Sequence, residues 1–512
     1  MSRTKNAILN TKYGILSKLL TLVLNFVSRT VFIYVLGSVY LGINGLYTEV
    51  LTALSFAELG FGSALIYAMY APVASGDDEK TLRLLAFYRT VYRIVACVVL
   101  VLGLALTPFL PYIVKGADIL TLRELRLYFL IFLLNTVSSY FVTYKYSYVN
   151  ALQKNYLITK IDLVVHSLII VIQIAVILLF RSFLAYLLTH TFLLLLSRFF
   201  IAAYLDRLYP ILKQKPDRPL SPEEKRPIYR DVSGLLVHQF SSVAVHQTDN
   251  LIISSLTELG VVAVGFVSNY NLLMKAVLDF VTQIFGSVTS GFGNLAAAST
   301  RENFRKVFYT ANFINFWIYG FCCIAFFVLI PPFITLWIGG DKLIDTLSFL
   351  LIIIACYLQG QSTIYNNARI AIGNFTRDKW WSLLQALVNL VVSIWGAKTF
   401  GLVGVYIGTV ASRLVFILCR PYSTYSLLFG GSSREYYAVL LKYFCTVLLT
   451  GALCVLATAR LLASVTIWRF LLAAVVVALL PNAVFLLLYY RTSEFRDLCS
   501  RVRKIIKERQ HA

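Results

Sequence analysis

The sequence predicts an all-α integral membrane protein of about fourteen transmembrane helices, built as two six-helix lobes related as parallel repeats with two extra C-terminal helices. Three observations predict it. Charged residues make up 14% of the 512 positions, apolar residues 59%, and mean hydropathy is +0.76, so most of the surface must face something other than water. Apolar runs of near-membrane length recur along the chain and end at charge clusters or at Gly and Pro. Basic residues alternate between the ends of those runs, with 34 of the 46 Lys and Arg on one side and eight on the other.

In order, the runs cover roughly 13–36, 40–68, 90–113, 126–147, 158–180, 182–205, 233–256, 261–288, 308–336, 346–368, 380–399, 402–420, 438–459 and 466–490. The first follows a basic stretch, Met1 to Lys18, with no small-residue cleavage site, and reads as a retained span. With that end inside, the inner clusters begin at Arg3, Lys5, Lys12 and Lys18 and finish with seven basic residues between Arg491 and Arg509. Both termini are therefore expected in the cytoplasm and the protein in the cell membrane. The net charge of +22 then reports orientation, and no nucleic-acid partner is needed to account for it.

The longest inner loop carries Pro210, Pro216, Pro219, Pro222 and Pro227 among charges, which is linker composition. It divides an N-terminal lobe (1–205) from a C-terminal lobe (231–430), with the linker at 206–230, two extra helices at 431–490 and a basic cytoplasmic tail at 491–512. Across it lies a spacing match, Leu36-Gly37-x4-Gly42-x4-Tyr47 against Leu259-Gly260-x4-Gly265-x4-Tyr270. Both copies leave one run and open the next, as parallel repeats would. The tail places Phe495, Leu498, Val502, Ile505 and Ile506 at helical spacing among basic residues, which suits the anionic inner leaflet.

Charges within the runs are the candidate functional residues. An ionised side chain at mid-bilayer costs about 2.5 to 3.5 kcal/mol on the lenient insertion scale, so each needs a partner or a wet cavity. Arg29 and Glu49 lie well inside the first two runs, and Asp249 and Lys275 at comparable depth around Gly260. Two readings follow. The acids pair with the bases, Arg29 with Glu49 and Asp249 with Lys275, or Lys275 with Asp279 one turn on. Alternatively Arg29 and Lys275 hold a phosphate-bearing headgroup in a water-filled cleft, while Glu49, Asp249 and Asp279 organise them or bind a coupling ion. Arg198 and Arg413 lie close enough to inner clusters to snorkel, and Glu58 is ambiguous in the same way. Tyr47, Tyr270 and Tyr365 are placed where they could stack on sugar faces. The eight cysteines are scattered through apolar runs, and His238 and His246 have no second ligand type at metal spacing, so no metal and no cofactor is expected.

The stretch Leu36-Gly37-Ser38-Val39-Tyr40-Leu41-Gly42-Ile43-Asn44-Gly45-Leu46-Tyr47, followed by Leu54-Ser55-Phe56-Ala57-Glu58-Leu59-Gly60-Phe61-Gly62-Ser63-Ala64 and Tyr70-Ala71-Pro72, resembles bacterial polysaccharide (oligosaccharide) flippases. So do Thr248-Asp249-Asn250-Leu251-Ile252-Ile253-Ser254 and Ser268-Asn269-Tyr270. The wider superfamily also contains multidrug antiporters and the peptidoglycan lipid flippase. The resemblance implies two lobes rocking around a central cationic cavity. It also implies a polyprenyl-diphosphate-linked oligosaccharide moved from the inner to the outer leaflet for capsule or exopolysaccharide biosynthesis, with Arg29 as the first-helix basic residue and Lys275 as its eighth-helix counterpart. Membrane lipids, a coupling Na+ or H+, and a glycan polymerase or glycosyltransferases are the partners to expect. A multidrug or cation antiporter is the alternative. An integral-membrane glycan enzyme is less favoured, because every outer loop is short and the chain has no Walker A loop, HExxH or nucleophile elbow.

Overall fold

Runs of apolar residues free of helix breakers become long helices, and in this computed structural model most of them do so. The backbone is described for residues 3–371 and 379–510. Side chains are described over the same range except at the N-terminus, at 56–61 and 233–239, over most of 286–298 and 504–510, and at scattered single positions. Glu58, His238, His246, Val502, Ile505 and Ile506 lie outside the described side chains. The helices are α1 (Arg3–Leu36), α2 (Ser38–Leu54), α3 (Phe56–Ser75), α4 (Asp78–Leu106), α5 (Leu110–Ile113), α6 (Leu122–Ala151), α7 (Asn155–Phe180), α8 (Phe183–Leu208) and α9 (Pro222–His246). They continue with α10 (Asp249–Leu256), α11 (Val261–Ala298), α12 (Arg301–Ile338), α13 (Thr346–Ala371), α14 (Lys379–Phe400), α15 (Leu402–Phe429), α16 (Arg434–Leu462), α17 (Ile467–Tyr489) and α18 (Ser493–Gln510). Among the described residues there is no strand.

Among the described residues, twelve helical stretches are long and apolar enough to cross a membrane. The other two expected spans are not single helices: 40–68 is broken into α2 and α3 at Ser55, and 233–256 into α9 and α10 at Gln247 and Thr248. The cause is local. Thr48, Thr52 and Ser55 each give their hydroxyl to the carbonyl four residues back, at 2.7 Å, and Thr248 does the same to Ala244. Such back-bonding competes with the helical ladder and bends it.

The chain forms two compact units, residues 1–265 and 266–512. In the first, Gly37 turns the chain with φ +87° and Gly260 with φ +52°, a region that glycine enters without steric cost. The matched glycines that follow make close backbone contact. A Cβ on Gly42 would sit 1.8 Å from the Val261 carbonyl oxygen, and one on Gly265 2.4 Å from that of Ser38. The start of α2 therefore crosses the first turn of α11 with only hydrogen between their backbones.

The Pro-rich stretch is packed. Leu212, Leu220 and Ile228 are buried, and Ser221 forms a capping box with Glu224 at the start of α9. Arg83 on α4 reaches Glu224 at 3.0 Å, and Lys145 on α6 reaches Asp206 at 2.6 Å. The Ser221 backbone N–H above all, with lesser help from the Arg83 charge, the Ser221 hydroxyl and the Lys80 charge, holds the Glu224 carboxyl below its ordinary range against the opposing effect of burial.

In the second unit α12 is the central post, packed by α13, α16 and α17. Phe316 stacks on Tyr443 at 4.1 Å and meets Phe485 at 5.1 Å. In lipid such contacts act through packing rather than through exclusion of water. The tail helix is also seated on protein: Asp497 accepts from Thr310 at 3.0 Å and pairs with Lys306 and Arg501, while Phe495 stacks on Trp317.

Candidate functional site

Glu49 lies three turns into α2, and the break before α10 brings Asp249 and Asn250 against it. Two acids thus share one half-buried place in the first unit, and Glu49 Oε2 has no hydrogen-bond partner. Arg29 is elsewhere. It is half-buried on the face of α1 that meets Tyr186 of α8, which in turn lies against the buried Gln173 of α7. No ion pair joins Arg29 to Glu49, so that expected pairing does not form: α1 presents Arg29 to α8, whereas α2 presents Glu49 to α10. In the second unit Lys275 is exposed on α11 and Asp279 half-buried one turn on. They make no ion pair with each other, so an i,i+4 spacing alone has not brought the side chains together.

The two arginines expected to snorkel turn inward. Arg198 Nη1 donates to the Asn135 carbonyl at 2.7 Å and to the Ser138 hydroxyl, and Arg413 Nη1 donates to Gln359 Oε1. Neutral oxygens of neighbouring helices thus accept from the Nη1 atom of each guanidinium inside the bundle. The three tyrosines considered for sugar stacking are structural. Tyr47 donates to the Leu125 carbonyl at 3.0 Å, Tyr270 accepts from the Ile344 N–H at 3.3 Å, and Tyr365 pairs with Thr424 at 2.6 Å, all three being buried.

One polar group escaped the sequence reading. On α7, Asp162, His166 and Gln173 share the face of the buried Ile169 and Ile177, while Val164, Leu168, Val171 and Leu178 point outward. Facing them from α8 are Tyr186, His190 and Arg198, and from α6 Tyr146, an electrostatic neighbour of both Asp162 and Arg198. The spacing 162, 166, 169, 173, 177 is an inward stripe at helical period and was readable; what hid it is that α7 is otherwise so apolar. Among the described residues, no three His, Cys, Asp or Glu gather as a metal site.

In a bundle of apolar helices, ionisable groups kept on inner faces mark where function is to be sought. Residues 8–290 match the family described as "Polysaccharide biosynthesis protein", and the chain belongs to that family. The fold resembles "Lipid II flippase MurJ, inward closed conformation", with a TM-score of 0.64 at 16% identity over 94% of this chain and all of that one. It also resembles an inward-facing multidrug resistance MATE family transporter of the MOP superfamily, with a TM-score of 0.59 at 17% identity over 78% of this chain and 93% of that one. The Vibrio cholerae MATE transporter VcmN gives 0.55 at 14% identity, over 81% and 96%. No curated protein matches the sequence. The protein is thus a multi-pass membrane protein with the MurJ and MATE-like transporter fold.

Proposed function

We propose that this protein flips a polyprenyl-diphosphate-linked oligosaccharide from the inner to the outer leaflet of the cell membrane by alternating access, for surface polysaccharide biosynthesis, with both termini cytoplasmic. The observation that carries this reading is Arg29, a guanidinium half-buried inside an apolar span with Glu49 directed elsewhere, in a chain of the polysaccharide biosynthesis family. A cation kept at that cost suits the diphosphate, with Lys275 as a second, exposed contact. The lipid tail would stay in the bilayer. The protein acts as a transporter and not an enzyme. With the interior negative, outward movement of the anionic headgroup gains about 2.3 kcal/mol per elementary charge per 100 mV, and with no Walker A loop in the sequence the transport is read as independent of ATP.

A specific feature favours the second reading, a cation antiporter: Glu49 and Asp249 form a two-acid place suited to a proton, Na+ or cationic drug. One experiment separates the two. Proteoliposomes holding only this protein and a lipid-linked oligosaccharide, under an imposed potassium diffusion potential and without nucleotide, are expected to flip the headgroup at a rate that follows the sign of the potential. Ethidium efflux with no headgroup movement would instead establish the antiporter.

A further inference from the structure

The hairpin of α7 and α8 is closed at one end and parted at the other. Only Arg181 and Ser182 connect the two helices, and beside that turn Ile177 and Phe183 are buried. About three turns back along α7 an apolar groove of about 390 Å³ opens between the helices. It runs from Ile169 and Leu193 to Ile161 and Tyr204, over Val165 and Phe200. At ~1.5 Å per residue, the span from Ile161 to Ile169 is about 12 Å long. The groove faces outward, since Leu168 and Phe200 on its walls are exposed. Its loop end carries positive charge. Lys160 adjoins Ile161 on α7, and Arg207 stands one turn beyond Tyr204 on α8. Both are exposed, and among the described residues neither is joined to a carboxylate. The nearby acids are turned away: Asp206 is held by Lys145 of α6 at 2.6 Å, and Asp162, two positions on from Lys160, lies on another side of α7. Lys154 is engaged as well, over the Tyr209 ring at 5.4 Å.

We propose that this groove binds an anionic glycerophospholipid, with one acyl chain lying between α7 and α8 and the phosphate held by Lys160 and Arg207. The leaflet is the one at the loop end of the hairpin, cytoplasmic in the topology proposed above. Length selects the tail. The hydrocarbon core is about 30 Å thick, so one leaflet offers roughly 15 Å, and the groove ends within that depth. The long chain of a polyprenyl lipid would run on past Ile169 to the closed part of the hairpin, where no space is left for it. Charge selects the headgroup. Inside a bilayer all lipid tails offer a groove much the same packing, so preference among lipids falls to what lies at its mouth. A basic residue near the membrane surface favours an anionic lipid by a factor of about five, and two of them multiply. Lys and Arg have the reach to bring their charged ends to the phosphate level while their stems stay along the helix. The bound chain also supplies contacts that the parted helices do not make to each other.

The test uses full-length protein in nanodiscs of phosphatidylethanolamine that contain a small share of phosphatidylglycerol with a diazirine on its acyl chain. Illumination should label the groove walls at Leu168, Leu196 or Phe200, read by peptide mapping. The same diazirine on phosphatidylethanolamine should label them no more than about a tenth as well. Lys160→Ala combined with Arg207→Ala should cut labelling by phosphatidylglycerol ~25-fold. Ser197→Phe, which fills the groove and keeps both cations, should remove the label from Leu168 and Phe200. Equal labelling by the two lipids, or labelling spread evenly over the outer faces of the bundle, would overturn the proposal. A competition arm in the wild type needs no variant that could misfold. Unlabelled phosphatidylglycerol should displace the probe at a lower concentration than polyprenyl diphosphate does. The reverse order would assign the groove to the tail of a polyprenyl lipid and overturn the phospholipid site, whatever the outcome of the flipping experiment above.

Discussion

The two sequence repeats share a scaffold and differ in chemistry. Gly37, Gly42 and Tyr47 stand 223 residues before Gly260, Gly265 and Tyr270. In both copies the tyrosine hydroxyl is buried on a backbone group at the start of a later helix, Leu125 for α6 and Ile344 for α13. Each ring also meets a phenylalanine there, Phe129 at 5.3 Å and Phe349 at 4.7 Å. The charges do not follow. At the same offset Arg29 corresponds to Ile252 and Lys275 to Thr52. The two segments share what fixes helices in register and differ in where their ionisable groups stand, so the shared frame says little about where a substrate would be held.

The sharpest test of the shared scaffold is Gly42→Ala or Gly265→Ala. Each added methyl collides with a carbonyl oxygen, so a cost of about 3 kcal/mol or more and loss of folded protein in detergent are expected. Gly45→Ala, whose Cβ would sit 3.6 Å from Val264, should leave the melting temperature unchanged. Equal behaviour of Gly42 and Gly45 would dismiss the crossing as a constraint.

Next come the unequal charges. Arg29→Ala should lower headgroup flipping at least ~100-fold and Lys275→Ala no more than ~10-fold, because an exposed cation is screened and more easily replaced than a half-buried one. Equal losses, measured in proteoliposomes at matched protein content, would show that depth does not rank them. Full transport by Arg29→Ala combined with Glu49→Ala would dismiss the cation site altogether.

Smaller effects should be equal between the copies. Tyr47→Phe and Tyr270→Phe each remove one buried hydrogen bond, at about 1 kcal/mol by denaturant titration, and a silent Tyr270→Phe would mean that the second copy has shed its anchor. The smallest effect is a pH response with no counterpart sought in the second unit. Glu224 has its folded pKa below the ordinary 4.5, so its contribution is complete above pH 4.5 and is lost as pH falls further, through the folded value. Proteolysis of the 206–230 stretch should accelerate only in that acid window and lose its pH dependence in Glu224→Gln.

The all-helical, membrane-spanning character and the two glycine turns were legible because they depend on period, hydropathy and backbone freedom, all of which are local; the expected count of fourteen spans was not reproduced, twelve stretches among the described residues being long and apolar enough. The breaks at Ser55 and Thr248 were less so, since an apolar count does not register a hydroxyl turning back on its own helix. Pairing was the least legible. Arg29 and Glu49 sit at similar depth on successive helices, yet which neighbour each faces depends on helix rotation, and depth leaves that undetermined. The inner stripe of α7 was visible as spacing, but its partners on α8 come from another turn of the chain.

The two tyrosine anchors also carry a timetable. Tyr47 is joined to a residue 78 positions later and Tyr270 to one 74 positions later. At ~5–20 residues per second of synthesis, each hydroxyl waits roughly 4 to 16 s before its partner leaves the ribosome. Through that interval a half-made copy holds an unanswered hydroxyl among apolar helices, and shielding it falls to whatever machinery escorts the chain into the bilayer.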